Sequence, residues 1–471
     1  MPEILFAIID ILQKELLLIA SILFVIGSAD DIIFDCLWIG HALKRKFFVY
    51  TKHQRMYAEL LPHSNTDDPM AVFVPAWQEA PVIGTMLQRC LGQWDSKNFR
   101  IYVGCYPNDE QTVAAVASAV HGSENVRIVI CNRNGPTTKA DCLNRLWTAL
   151  CHDELTEDIK FNAIVLHDAE DMVHAKALDV FKYLADRAAL IQIPVIPRRA
   201  VRSRWVAGHY CDEFAEQHGK QMVLREALGV ALPSAGVGCA FSRDSIGRLS
   251  MQSGGKPFDA TSLTEDYELG LSLTEGEGRG IFVRLKDQDG QLVATQEFFP
   301  ENLEDAVRQK SRWMAGIALS GWDRLGWNQS LLENWIRFRD RKASLAAIVL
   351  AIAYVAIFLT FILAVVKLFD VYVPQPISAN LKILLYFNAL FLCWRLAFKA
   401  IFVFRLYGFK EALYSIPRTI IANVINIMAA RRAFGKYLQS LSGGNVEWEK
   451  TQHFLLEKPE ISKLKSVKSG E

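Results

Sequence analysis

The chain carries almost no net charge: 52 Lys and Arg stand against 51 Asp and Glu, leaving +1 over 471 residues. Binding to nucleic acid through bulk charge is thereby excluded as a partner mode. The nine cysteines include no C-x-x-C pair. Seven are scattered through the middle of the chain, and Cys36 and Cys393 sit in apolar end segments. Neither a disulfide framework nor a zinc knuckle follows, and reduced, mostly buried thiols are expected. There is no internal repeat and no low-complexity segment. A cleaved signal peptide is not indicated either, because Gln13-Lys14-Glu15 interrupts the first apolar run and no small-residue cleavage site follows it.

What the chain does have is apolar length at both ends. Leu16 to Gly27 is almost unbroken apolar or small, and past Asp30 and Asp31 the pattern resumes from Ile32 to Ala42, before Lys44, Arg45 and Lys46. The pattern predicts one spanning helix over roughly residues 15 to 42, with a half-buried pair of shorter helices as the alternative. Asp30, Asp31 and Asp35 must then face a protein interior, since carboxylates at bilayer depth are costly, or serve an export path. Ala343 to Val366 and Ile383 to Phe404 are two further runs of bilayer length, the second carrying Arg395 and Lys399 on one face. Arg337, Arg339, Arg341 and Lys342 precede the first, Arg405 and Lys410 follow the second, and the connector Asp370 to Asn380 has no Lys or Arg. The positive-inside rule places the connector and the short N-terminus outside, and the large central region and the C-terminus in the cytoplasm. Ala412 to Lys436 interleaves Asn423, Asn426, Arg431 and Arg432 with apolar residues, which fits an amphipathic helix along the inner leaflet or a fourth span. The expected divisions are 1–45, 46–335, 336–440 and a polar, Lys-rich tail, 441–471.

Between residues 69 and 330 short apolar runs alternate with helical patterns. Met70 to Val74, Phe99 to Cys105, Val126 to Cys131, Ala163 to Leu166 and Ile191 to Val195 read as buried strands. Their spacing predicts a doubly wound α/β sheet, in which ligands bind beyond the carboxyl ends of the strands. Acidic segments collect there: Trp77-Gln78-Glu79, Asn108-Asp109-Glu110 and His167-Asp168-Ala169-Glu170-Asp171.

Asp168 and Glu170 point the same way by alternation and are candidate ligands for a divalent cation, Mg²⁺ or Mn²⁺, on a nucleoside diphosphate. Asp171 is placed as a helix cap, and the plain alternative for the whole cluster is a capped, solvated turn. In Thr264-Glu265-Asp266, Asp266 is a candidate general base for an acceptor hydroxyl, or a first-turn helix carboxylate. Lys139 is a candidate phosphate contact or a surface lysine. Asn302 with Asp305 three residues on marks a helix start, after which Gln309, Arg312 and Trp313 share one face. An amide, a guanidinium and an indole suit a sugar diphosphate beside an acceptor sugar, whereas a surface helix with a buried Trp is the bland reading.

In this order the segments resemble the processive, membrane-bound family 2 glycosyltransferases, the group of cellulose, chitin and hyaluronan synthases, over about residues 69 to 440. The resemblance implies a GT-A-type nucleotide-sugar domain set between transmembrane helices. It implies uridine binding by Glu79 and Asp109, and diphosphate and metal binding by Asp168 and Glu170, with Glu where the family's D-x-D has its second Asp. Asp266, preceded by Glu265, would be the base, and Gln309, Arg312 and Trp313 the Q-x-x-R-W acceptor motif. Tyr106-Pro107-Asn108-Asp109, Ala235-Gly236-Val237-Gly238-Cys239 and Ser415-Ile416-Pro417-Arg418 look like a narrower group, the inner-membrane glycosyltransferases of enterobacterial phage-adsorption systems. That group implies a UDP-sugar donor, N-acetylhexosamine among the sugars, a glycan or lipid-linked acceptor, and an outer-membrane or export partner. Its C-terminal cyclic-di-GMP domain is not expected here, since little chain follows and the tail shows no R-x-x-x-R. The different-class alternative is a non-catalytic membrane scaffold, for which the carboxylates would be dispensable.

Overall fold

The computed structural model describes residues 2–62, 67–95, 99–200, 203–276 and 278–441. The segment read as a tail lies, from residue 442, outside the described residues. A first helix α1 (Pro2–Lys44) leads into alternating elements: β1 (Met70–Pro75), α2 (Ile83–Gln93), β2 (Phe99–Cys105), α3 (Glu110–Val120), β3 (Val126–Ile130), α4 (Lys139–Thr156) and β4 (Ala163–Leu166). Next come α5 (Ala177–Leu184), β5 (Leu190–Gln192), β6 (Val195–Pro197), α6 (Val206–Glu216), α7 (Met222–Leu228), β7 (Cys239–Ser242), α8 (Arg243–Gln252) and α9 (Glu265–Thr274). The chain closes with β8 (Gly280–Phe282), β9 (Thr295–Glu297), α10 (Leu303–Trp313), α11 (Gly321–Leu325), α12 (Leu331–Arg341), α13 (Ala343–Leu368), α14 (Ala379–Tyr407) and α15 (Phe409–Leu441).

Seven strands form one sheet in the order β3-β2-β1-β4-β7-β5-β8. β1 to β4 run parallel, while β7 is antiparallel to both β4 and β5. Alternation along β1 divides the core between two faces. Met70, Val72 and Val74 pack with Ile83, Leu87 and Val116 of α2 and α3, and Ala71 and Phe73 pack with Leu143, Leu146 and Leu150 of α4. Both faces are covered, so the strands read as unbroken apolar runs.

Two sequence expectations need correction. The run Ile191 to Val195 is two strands, because Pro194 has no N–H to continue a ladder; its carbonyl accepts from the Thr295 N–H (3.0 Å), and β6 pairs with β9 in a separate two-stranded sheet. The apolar N-terminus is one helix, as the pattern predicts, and not the alternative pair, but it begins at Pro2 rather than near residue 15 and so has 43 residues, about 65 Å, roughly twice the hydrocarbon thickness of a bilayer.

α1, α13, α14 and α15 are each long and apolar enough to cross a membrane. α15 runs unbroken through Pro417 and packs on α13 and α14 as well as on α6 and α10 of the sheet-containing region. Arg418 fixes that contact: 1% exposed, it pairs with Asp212 of α6 (2.6 Å) and with Glu411 (2.7 Å).

Ion pairs also occupy Asp30, Asp31 and Asp35 of α1. Asp30 accepts from Trp335 (2.6 Å) and Lys342 (2.5 Å) and pairs with Arg339, and Asp31 meets Arg339 and Lys342 (both 3.0 Å). Asp35, fully buried, takes Lys220 (2.5 Å) and the Trp394 indole N–H (2.9 Å). Lys220 lies in a π-helical turn, Gln217–Gln221, and also binds Glu216 (2.5 Å), which in turn holds Arg395 (2.8 Å). The protein interior that such carboxylates require is supplied by α12, α14 and the turn after α6.

Candidate active site

The carboxyl ends of β1, β2 and β4 open into a cavity of about 1410 Å³, larger than the 300–1,000 Å³ of an ordinary ligand site. After β1 the chain turns sharply at Gln78, whose φ is 56°. Asp109 makes that turn possible. It caps α3 through the Thr112 N–H (3.3 Å) and also accepts the Gln78 N–H (2.6 Å), while the Thr112 hydroxyl accepts the Glu79 N–H (3.0 Å). Glu79 thus lines the cavity, and Asp109 stands behind the loop, outside it. Trp77 and Tyr106 meet edge to face at 5.1 Å on the cavity wall. A Cβ at Gly135 would overlap the Trp77 indole, and Asn108 holds that glycine by both backbone groups (2.7 and 2.8 Å).

Lys139 opens α4 behind a capping box formed by Thr138 and Asp141. Its ammonium lies 2.5 Å from Asp168 Oδ1. Burial works to neutralise it, but Asp168, Glu265 and Asp266 together outweigh that and raise its pKa. The surface-lysine alternative is therefore set aside.

Beyond β4, Asp168 and Glu170 face the cavity while Ala169 between them is buried. Asp171 does not cap a helix, as the sequence suggested. It is buried against His167 Nδ1 (2.6 Å) and accepts the Asp168 N–H (3.2 Å). Burial first, then the Asp168 and Glu170 charges, push its carboxyl well above the usual range, and burial lowers His167 to about 4.

Asp266 stands in the first turn of α9 and accepts the Tyr267 N–H (2.8 Å). Its other carboxylate oxygen rests on Gly236, at φ +77°, where a Cβ would overlap it. Burial raises the Asp266 pKa against the pull of Lys139 and Arg312. Burial and the Asp266 charge push Glu265 up to about 7. Thr264, its hydroxyl buried without a hydrogen-bond partner among the described residues, packs against Gly316 in the π-helical segment after α10.

Asn302 caps α10 by accepting the Asp305 N–H (2.9 Å). Gln309, Arg312 and Trp313 of this helix all line the cavity. Gln309 Oε1 and Arg312 Nε are buried without a hydrogen-bond partner among the described residues. Trp313 packs on Tyr210, Phe214 and Phe299. One cavity therefore gathers Glu79, Lys139, Asp168, Glu170, Glu265, Asp266, Gln309, Arg312 and Trp313.

Carboxylates, a lysine, an arginine and an indole around one cavity suit many phosphate-bearing ligands, and likeness to known proteins decides the family. The model described as "Glycosyltransferase like family 2" matches residues 68–316. The chain belongs to glycosyltransferase family 2. This family 2 chain is also 37% identical over 462 residues to "Bacteriophage adsorption protein B" of Escherichia coli K12 and to "Bacteriophage N4 adsorption protein B" of Escherichia coli O157:H7. Those matches take in 93% of the chain and span 62% of the relatives' length. Among solved structures it resembles "Mannosyltransferase PcManGT from Pyrobaculum calidifontis in complex with GDP-Man and Mn2+" at 17% identity and a TM-score of 0.50, over 87% of this chain and 99% of that one. That likeness speaks for the GT-A-like mixed α/β fold.

The donor set of this glycosyltransferase fits a hard divalent cation. No group of three His, Cys, Asp or Glu forms a cage among the described residues. An ion would be held by Asp168, Glu170 and phosphate oxygens, the open arrangement Mg²⁺ and Mn²⁺ adopt on nucleotides. Sequence reasoning missed the His167–Asp171 pair, Trp77 and the close approach of Gly236 to Asp266. Only Gly236 had a local signal, in Ala235-Gly236-Val237-Gly238.

Proposed function

We propose that this chain transfers a sugar, with inversion at the anomeric carbon, from a UDP-sugar to a growing or lipid-linked glycan at the bacterial inner membrane. The observation that carries the reading is that the half-buried Asp266 carboxylate, the Lys139–Asp168 pair and the Gln309, Arg312 and Trp313 face share one cavity. Trp77 and Glu79, with Asp109 bracing their loop, bind the uridine. Asp168 and Glu170 hold a divalent cation, which when bound neutralises the departing diphosphate. The GDP-Man and Mn²⁺ complex of the mannosyltransferase supports a nucleotide sugar with metal on this fold. Lys139 and Arg312 add fixed positive charge at the leaving group. Trp313 stacks on the acceptor sugar, and Asp266 takes its hydroxyl proton as the new bond forms.

The acceptor side continues toward the membrane, where Ala343 and Ala347 of α13, Lys399 of α14, and Asn423 and Asn426 of α15 line the same cavity. Topology follows the charge pattern, with the glycosyltransferase domain cytoplasmic. In support, Asp10 of α1 accepts from Tyr372 (3.3 Å) and the Gln375 N–H (3.0 Å) of the connector, a contact in keeping with an N-terminus on the connector's side. The relatives' name, bacteriophage adsorption protein, is in keeping with a product that reaches the cell surface, for which an outer-membrane partner is proposed.

The test is UDP release by detergent-purified protein with membrane lipid, across a panel of UDP-sugars, N-acetylhexosamines first, with Mg²⁺ or Mn²⁺. Release with one donor that vanishes in Asp266→Asn supports the transferase reading. No release with any donor favours the scaffold alternative.

A further inference from the structure

We propose that the buried His167–Asp171 pair is a positioning device that sets the direction in which Asp168 and Glu170 present their carboxylates to the cation and diphosphate. The inference rests on the metal-dependent reading of that site and adds two residues to it.

The segment after β4 is pinned at both ends. The His167 N–H donates to the Phe73 carbonyl of β1 (3.2 Å), and the Met172 N–H donates to the Gln296 carbonyl of β9 (2.8 Å). Between these points the Asp171 N–H returns to the Asp168 carbonyl (3.2 Å), closing a tight turn. Asp171 Oδ2 ties the same turn again by accepting the Asp168 N–H (3.2 Å), and the contact from His167 Nδ1 (2.6 Å) fixes that oxygen in place. His167, Ala169 and Asp171 are therefore held inward, each 1% exposed or less, and the alternate residues Asp168 and Glu170 keep the more accessible side chains of this cavity-lining segment.

A carboxyl beside two other carboxylates is an expensive choice for a residue that merely fills core. An apolar side chain of similar shape would fill the space without desolvating charge. What the apolar residue lacks is an acceptor for the Asp168 N–H. Neither His167 nor Asp171 is proposed to touch substrate. Outer groups that orient metal-binding side chains typically change metal affinity by about 10–100-fold when removed.

The experiment compares Mn²⁺ binding by wild type, Asp171→Ala and Asp171→Asn in the full chain with UDP present, following free Mn²⁺ by electron paramagnetic resonance alongside thermal unfolding. The expected result is about 10–100-fold weaker Mn²⁺ binding in Asp171→Ala. Asp171→Asn should stay near wild type, because its amide oxygen can accept both from Asp168 N–H and from a neutral His167 Nδ1–H. Turnover in Asp171→Ala should recover at saturating Mn²⁺, which a general structural defect would not allow. If Asp171→Ala does not fold, His167→Phe takes its place, since it keeps the bulk and removes the contact, and weakened binding is again expected. Unchanged Mn²⁺ affinity in these variants, with wild type binding normally, overturns the positioning role alone. Absence of Mn²⁺ binding in the wild type with UDP overturns the metal reading and the inference together.

Discussion

Replacing Gly236 by alanine tests the placement of Asp266 through one added methyl group. Gly236 has φ +77°, a region where an L-residue costs about 1–2 kcal/mol. That strain alone should lower the unfolding midpoint by roughly 2–8 °C for a domain of this size. The new Cβ also overlaps Asp266 Oδ2, so the carboxylate must move. A displacement of about 1 Å in a reacting group can cost about 100-fold in rate. Gly229, which ends α7, supplies the control: its φ is +68° and no atom lies within 4 Å of its would-be Cβ. Gly229→Ala should show the same loss in midpoint and keep its turnover, whereas Gly236→Ala should lose about 100-fold in kcat for UDP release. Wild-type turnover in Gly236→Ala would refute the assignment of Asp266 as a fixed base. Equal turnover losses in the two variants would refute the role of the close approach.

Burial raises both Asp266 and Glu265, the latter to about 7, and a base must be deprotonated to work. Turnover should therefore fall on the acid side with an inflection above the ordinary aspartate range, Glu265 taking up its proton first, and an inflection at or below that of a free aspartate would count against Asp266 as the base. Lys139→Met removes the cation that Asp168, Glu265 and Asp266 share, so that inflection should move to higher pH. A charged hydrogen bond at such a site is worth about 1.5–3 kcal/mol, so KM for the donor should rise about 10–100-fold, read by steady-state kinetics. Lys220→Met leaves the fully buried Asp35 without its cation, a loss of about 3–5 kcal/mol in thermal or denaturant unfolding, and Asp35→Leu in the same chain should restore most of it.

Strands β1 to β4 and the start of α10 were legible because their signals are local. An apolar run between turn residues marks a doubly covered strand, and Asn302 and Asp305 sit three residues apart on the chain that they cap. The order of the acidic strand ends and of Gln309, Arg312 and Trp313 was legible for the same reason. β7 was not, since its four residues owe their strand to pairing with β4 and β5 on either side. The break at Pro194 had a readable sign in the proline itself. Asp109 was read by its chemistry, although an Asp three residues before Thr112 is also an N-cap pattern, and the cap is where its carboxylate went. His167 and Asp171 could not be separated from the cavity-facing pair beside them, because which residues of a short acidic turn point inward depends on how both ends are tied to the sheet.

The carboxylates of α1 bear on how this enzyme can be handled. A cut between the first helix and the glycosyltransferase domain looks natural on the sequence, yet it would take Asp30 and Asp31 away from Arg339 and Lys342, and would leave Lys220 and Arg395 with Glu216 alone to share, so that this face carries excess positive charge. The first helix is thus a counterion for the domain it precedes. A soluble fragment starting after Lys44 should gather anions or aggregate at that face, and the smallest faithful preparation keeps the helix and the detergent it demands.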